Sequence, residues 1–235
     1  MAATPTPPDL ILALDVKERG QALMLLKRLG SSIRWVKIGL GLFTQYGPAI
    51  IEEVAGLGYR IFLDLKLHDI PPTVAAAIES LSPYPIDLLS LHAAGGEEML
   101  QNAVATRNRC AQKTKLLGVT VLTSLDSAAL ATIGIQGPPA AHVMCLANLA
   151  LRSGLDGLVC SAQELRTLRA RFGSAPLLVT PGIRPSGALT YEQKRTATPE
   201  EATRDGATHI VVGRPILSSD DPIRAVDSIV TEMKQ

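Results

Sequence analysis

Short apolar runs alternate with amphipathic stretches along the whole chain. Leucine-rich or β-branched runs at residues 10–14, 35–38, 60–65, 87–91, 116–122, 157–160, 177–180 and 209–212 have the length and composition of buried strands. Between them, residues 21–29, 97–107, 140–152, 163–171 and 221–233 place apolar side chains at helical spacing. Ser218-Ser219-Asp220-Asp221 ahead of Pro222 supplies an N-cap and a suitable first-turn residue for the last of these. Strands that are apolar on both faces belong to parallel sheets, whose crossover helices cover both sides. Eight such βα units predict the α/β class and a closed (β/α)8 TIM barrel rather than an open sheet.

Length and composition leave that picture intact. The chain has 235 residues, an ordinary size for one barrel, and no linker or composition shift divides it. Residues 9–235 therefore read as one barrel domain behind a disordered extension at 1–8. A net charge of +1, with no basic block or acidic tail, argues against nucleic acid and membrane surfaces as partners. Residues 1–8 have neither a basic nor an apolar signal segment, and no run approaches a membrane span, so a cytoplasmic protein is expected. Cys110, Cys145 and Cys160 lack C-x-x-C spacing and read as buried thiols rather than disulfides or zinc ligands. His68, His92, His142 and His209 show no metal-ligand spacing, and His92 is expected as a structural histidine at the floor of a site.

The polar exceptions to the pattern are informative. In Phe62-Leu63-Asp64-Leu65-Lys66-Leu67 the strand alternation puts Asp64 and Lys66 on one face and the leucines on the other. Asp69 follows where the strand ends, and Pro71-Pro72 open the next helix, so three charges are expected to converge on one loop mouth. An isolated Asp-x-Lys is often a solvated ion pair, and an Asp after a strand is often a helix cap. Here, however, the polar residues keep a register. Asp15 follows strand one, Lys37 ends strand two, Asp64 and Lys66 end strand three, and His92 ends strand four. Thr123 ends strand five, Arg184 follows strand seven, and Gly213-Arg214 follow strand eight. Barrel chemistry sits at the carboxyl ends of the strands, and phosphate binds beside the last two. Arg184 and Arg214 are both candidate substrate-binding residues; Arg214 is the better one for a bidentate phosphate contact, Gly213 allows close backbone approach, and bracing of the loop is the alternative role for Arg184. Ile38-Gly39-Leu40-Gly41 lacks the further glycine or Lys-Ser/Thr of a nucleotide loop and reads as a strand-to-helix turn.

Taken in order, Leu14-Asp15, Val36-Lys37-Ile38-Gly39, the run from Phe62 to Pro71, His92-Ala93-Ala94-Gly95-Gly96, Leu122-Thr123-Ser124, Val179 to Arg184 and Val212-Gly213-Arg214-Pro215 resemble the bacterial orotidine 5′-phosphate decarboxylases. The resemblance implies a homodimeric barrel that removes CO2 from orotidine 5′-phosphate to give UMP, with neither metal nor organic cofactor. It implies that Lys66, Asp64, Asp69 and Lys37 are catalytic. Asp69 and Thr73 would come from the partner subunit, and Asp15 and Lys37 would hold the ribose. Thr123 would contact the pyrimidine, and Gln193 would reach the phosphate and base from a mobile lid at 185–198. Glu192, where many relatives carry Asp, and Ser82-Pro83-Tyr84-Pro85 depart from the commonest pattern away from these positions.

Two rival readings share part of this pattern. Magnesium-dependent sugar-phosphate enzymes of the same suprafamily use the Asp-x-Lys-x-x-Asp motif, but with an acidic metal ligand at the end of strand two, where this chain has Lys37. A barrel that only binds nucleotides would keep Gly213-Arg214 but has no use for Asp64, Lys66 and Asp69 in an apolar setting.

Overall fold

A computed structural model describes residues 7–185 and 196–235. Its eight strands are β1 (Asp9–Ala13), β2 (Trp35–Gly39), β3 (Arg60–Leu67), β4 (Leu88–His92), β5 (Lys115–Val119), β6 (Gly157–Val159), β7 (Leu177–Thr180) and β8 (His209–Val212). They close in sequence order, β8 pairing with β1, and every pairing is parallel. This is the expected TIM barrel, and helices such as Arg19–Leu29, Pro71–Leu81, Glu97–Cys110 and Pro139–Arg152 pack outside it.

Strand alternation divides the apolar side chains into two cores. Ile11, Trp35, Phe62, Leu88, Leu117, Val179 and Val211 fill the barrel interior. Their neighbours Leu12, Val36, Leu63, Leu89, Leu116, Leu178 and Ile210 face outward and meet the helices. The interior core stops short of the carboxyl ends of the strands, leaving room there for the polar residues.

Most predicted strand ends move by a residue or more, and three of the shifts bear on the site. β5 ends at Val119 instead of residue 122, so Thr123 lies in the following loop and does not end the strand. The reason is the short neighbour: β6 stops at Val159, whose carbonyl accepts the Thr120 N–H as the last link. β2 continues two residues past Lys37, to Gly39. β3 extends to Leu67, but its register against β4 shifts between Leu63 and Leu67, and Lys66 has a φ of +52°. The charged face thus sits on a bulge, which re-aims side chains, rather than on a regular strand.

The amino-terminal ends of the strands are closed by an aromatic and ionic floor. The Arg60 guanidinium lies 4.0 Å from the centre of the Trp35 ring and pairs with Asp87, while the His209 ring meets Trp35 edge-on at 5.1 Å. Burial pushes the His209 pKa down, Arg60 acting the same way and Asp9 opposing it. The neutral ring is therefore favoured in the fold. The unfolded chain takes up the proton near the ordinary value of 6.5, so this group costs stability as pH falls from there through its lower folded pKa. Thermal midpoints should fall below about pH 6.5, and His209→Gln should flatten that decline, His92 supplying the remainder. An identical slope in the variant would show that His209 is not the group responsible.

Candidate active site

The site is built on β1, β2, β3 and β4. Asp64 is 7% exposed at the bulge. Its Oδ2 accepts from Lys66 Nζ at 2.8 Å and lies 3.6 Å from Lys37 Nζ. Lys37, itself buried on β2, reaches onward to Asp15 Oδ1 at 3.1 Å, and Asp15 is the solvent-facing end of the chain of charges. Gly39 leaves room for that last pair, since a Cβ there would lie 3.0 Å from Lys37 Nζ and 3.3 Å from Asp15 Oδ1. The remaining Asp64 oxygen, Oδ1, accepts from Ser90 Oγ at 2.8 Å, and Ser90 Oγ also accepts the Lys66 backbone N–H at 3.0 Å.

Opposing forces act on the Asp64 carboxyl. Burial raises its pKa, but the Lys37 and Lys66 ammoniums and the hydrogen bonds from Lys66 and Ser90 outweigh burial and bring it below the ordinary aspartate value. The carboxylate is therefore ionised at neutral pH. At the end of β4, burial lowers the His92 pKa, with help from His68 and Lys66 and against Asp64, so His92 is neutral there. Its ring lies 5.2 Å from that of His68.

Two adjoining cavities open above this network. One, of about 190 Å³, is lined by Phe62, Asp64, Lys66, Val119, Thr123 and Val159 among others. The second, of about 360 Å³, is lined by Asp15, Gly182, Arg184, Gly213 and Arg214, and the two share Lys37, Pro181 and Val211. One end is apolar with a charged floor, and the other carries two guanidiniums at the mouths of β7 and β8. Arg184 is buried and donates to the Ile183 carbonyl at 2.8 Å, while its own N–H bonds to the Ala197 carbonyl at 2.9 Å. These contacts tie it to its own loop, the alternative to the substrate-binding role expected for it. Gly182 has a φ of +79°, in the left-handed region that favours glycine.

Most of the predicted residues come together here: Asp15, Lys37, Asp64, Lys66, Thr123, Arg184, Gly213 and Arg214 all line the paired cavities. Asp69 and Thr73 do not converge with them within the chain. Both are exposed, and the Asp69 carboxylate accepts the Ile70 N–H at 2.7 Å. Of the three charges expected at this loop mouth, Asp64 and Lys66 pair with each other, and no ion pair joins Asp69 to them among the described residues. Gln193, and with it most of the expected lid at 185–198, lies outside the described residues. Ser90 was not predicted, although a polar residue at an interior-facing position in Leu88-Leu89-Ser90-Leu91 is a signal.

The model of the orotidine 5′-phosphate decarboxylase / HUMPS family matches residues 8–229. The chain belongs to this family. A relative named orotidine 5′-phosphate decarboxylase from Opitutus terrae is 49% identical over 226 residues, covering 96% of this chain and 98% of its own. One of the same name from Chromohalobacter salexigens is 45% identical, covering 96% of each chain. Among solved structures, the orotidine 5′-phosphate decarboxylase of Lactobacillus acidophilus superposes with a TM-score of 0.86 at 37% identity, over 98% of this chain and all of that one. Family membership extends over nearly all of the barrel that carries the site. Among the described residues, no group of three His, Cys, Asp or Glu side chains could hold a metal ion, and no helix is long and apolar enough to cross a membrane.

Proposed function

We propose that this chain is a carboxy-lyase that converts orotidine 5′-phosphate to UMP and CO2, the closing step of pyrimidine nucleotide synthesis. The observation that carries the reading is the alternation of charges from Asp15 through Lys37 and Asp64 to Lys66, beneath a cavity that continues to Arg214. A ligand with a flat heterocycle at one end and a phosphate at the other matches that polarity.

Breaking the bond between pyrimidine C6 and the carboxylate leaves an electron pair localised on C6. An ammonium held in place stabilises that charge without reorganising as it forms, and then protonates it. Lys66 takes this role: its Nζ proton goes to C6, CO2 leaves with no proton, and the amine regains a proton from solvent. Asp64, anchored on Lys66, faces the substrate carboxylate and favours its departure. Lys37 holds Asp64 and a ribose hydroxyl, and Asp15 accepts from the ribose. Thr123 contacts the pyrimidine. Arg214, with the close approach that Gly213 permits, binds the phosphate, and Gln193 is the residue assigned to reach it from the lid. The ammonium of Lys37 stands 3.1 Å from Asp15 and 3.6 Å from Asp64, between the two carboxylates a divalent cation would otherwise bridge. This favours the decarboxylase over the magnesium-dependent branch.

The exposed Asp69, Ile70 and Thr73 complete the site of a second subunit in a homodimer. A two-fold interface would exchange them reciprocally, each subunit lending its loop to the other. The large exposed apolar side chain of Ile70, beside Asp69, supports covering of this rim.

Arg214→Ala should raise KM for orotidine 5′-phosphate roughly ten- to a hundredfold, the equivalent of a charge-assisted contact of about 1.5–3 kcal/mol; an unchanged KM would move the phosphate site elsewhere. Lys66→Ala and Asp69→Ala should each be inactive. Mixing the two, with subunit exchange verified, should restore turnover through one intact site per heterodimer. No recovery would place Asp69 and Lys66 in the same subunit.

A further inference from the structure

The hydroxyl of Ser90 sits where the backbone and the side chains of the charged site meet. Ser90 is fully buried on β4, facing the interior between Leu88 and His92. A serine hydroxyl has one proton to donate and lone pairs to accept with. Its two contacts fix both roles: it accepts the Lys66 N–H at 3.0 Å and donates to Asp64 Oδ1 at 2.8 Å.

Those contacts replace what the sheet does not supply. Between Leu63 and Leu67 the β3–β4 register breaks, so the Lys66 amide has no regular ladder position, and Ser90 Oγ receives it. Among the described residues, Lys66 is the one non-glycine at positive φ. An L-residue keeps that conformation only where its surroundings hold it. The Lys66 side chain is anchored at both ends by groups that Ser90 touches: the backbone N–H directly, and Nζ through the Asp64 carboxylate.

We infer that Ser90 is a positioning residue that locks the Lys66 ammonium against Asp64 by clamping the bulge from the neighbouring strand. The inference rests on the decarboxylase reading of this site and assigns the residue that gives the site its geometry. Ser90 is also one of the donors that hold Asp64 ionised against burial. The other charged and titratable groups around that carboxylate are Lys37 on β2, Lys66 on β3 and His92 on β4, with Asp15 beyond Lys37.

The test compares Ser90→Ala with Ser90→Thr in full-length protein, by thermal melting and by steady-state turnover of orotidine 5′-phosphate across pH. Ser90→Ala should lower kcat roughly 10- to 100-fold, the scale of a misplaced reacting group, while KM changes less than about threefold. The acid limb of its pH profile should move to higher pH, because Asp64 loses a donor to its charged form. Ser90→Thr keeps the hydroxyl and should recover most of the turnover. Should Ser90→Ala not fold, Ser90→Cys, a near-isostere and weak donor, takes its place with the same expected loss. Unchanged kcat and acid limb in Ser90→Ala, or an equal loss in Ser90→Thr, would overturn the inference. Wild-type turnover in the same assay separates the two levels. An inactive wild type overturns the decarboxylase reading, whereas an active wild type matched by Ser90→Ala overturns the role of Ser90 alone.

Discussion

The buried Asp64 carboxylate, held between two ammoniums, is the constraint around which the upper half of the barrel is organised. A carboxylate taken out of water is costly unless its charge is paired and its lone pairs are occupied. Both requirements are met: Lys66 and Lys37 approach Oδ2, and Ser90 donates to Oδ1. The dependence is mutual, because removing one member of such a cluster leaves the others as unpaired buried charge, at a cost of roughly 3–5 kcal/mol. Three adjacent strands must therefore stay in fixed register for any of the three charges to be tolerated. A closed barrel supplies that rigidity, since neither β2, β3 nor β4 has a free edge along which to slip.

The division of the molecule follows from the same constraint. Below the charges, Trp35, Phe62, Leu117 and Val179 pack the interior, and the floor is sealed by Arg60, Trp35 and His209. Above them the strands end and the loops diverge, leaving connected cavities with Lys66 at one end and Arg214 at the other. The packed floor contributes stability, while the loops are free to carry recognition. Preorganisation here is literal: the ammonium proposed to meet the developing carbanion already has its counter-ion before any ligand enters.

Much of this was legible in the sequence because burial on both faces leaves a simple trace. Eight apolar runs separated by helical periods specify the barrel, and polar residues at the carboxyl ends of all but the sixth run, from Asp15 to Arg214, specify where its chemistry lies. The misses have physical causes. Strand alternation could not show the bulge at Lys66, which arises from the pairing of β3 with β4 and not from local sequence. The early end of β5 was hidden because it is set by its neighbour β6, not by its own apolar run through Leu122. In the sequence Ser90 is one small residue among leucines, and only the three-dimensional register puts its hydroxyl against both Asp64 and Lys66.

The central claim is that these charges perform the decarboxylation themselves. It is tested most directly by incubating EDTA-treated protein with orotidine 5′-phosphate, following the loss of orotate-type ultraviolet absorbance and identifying the nucleotide product. Metal-free conversion to UMP, unaffected by added magnesium, is the expected result. Folded protein that leaves orotidine 5′-phosphate intact, or that turns over only a sugar phosphate once magnesium is restored, would contradict it.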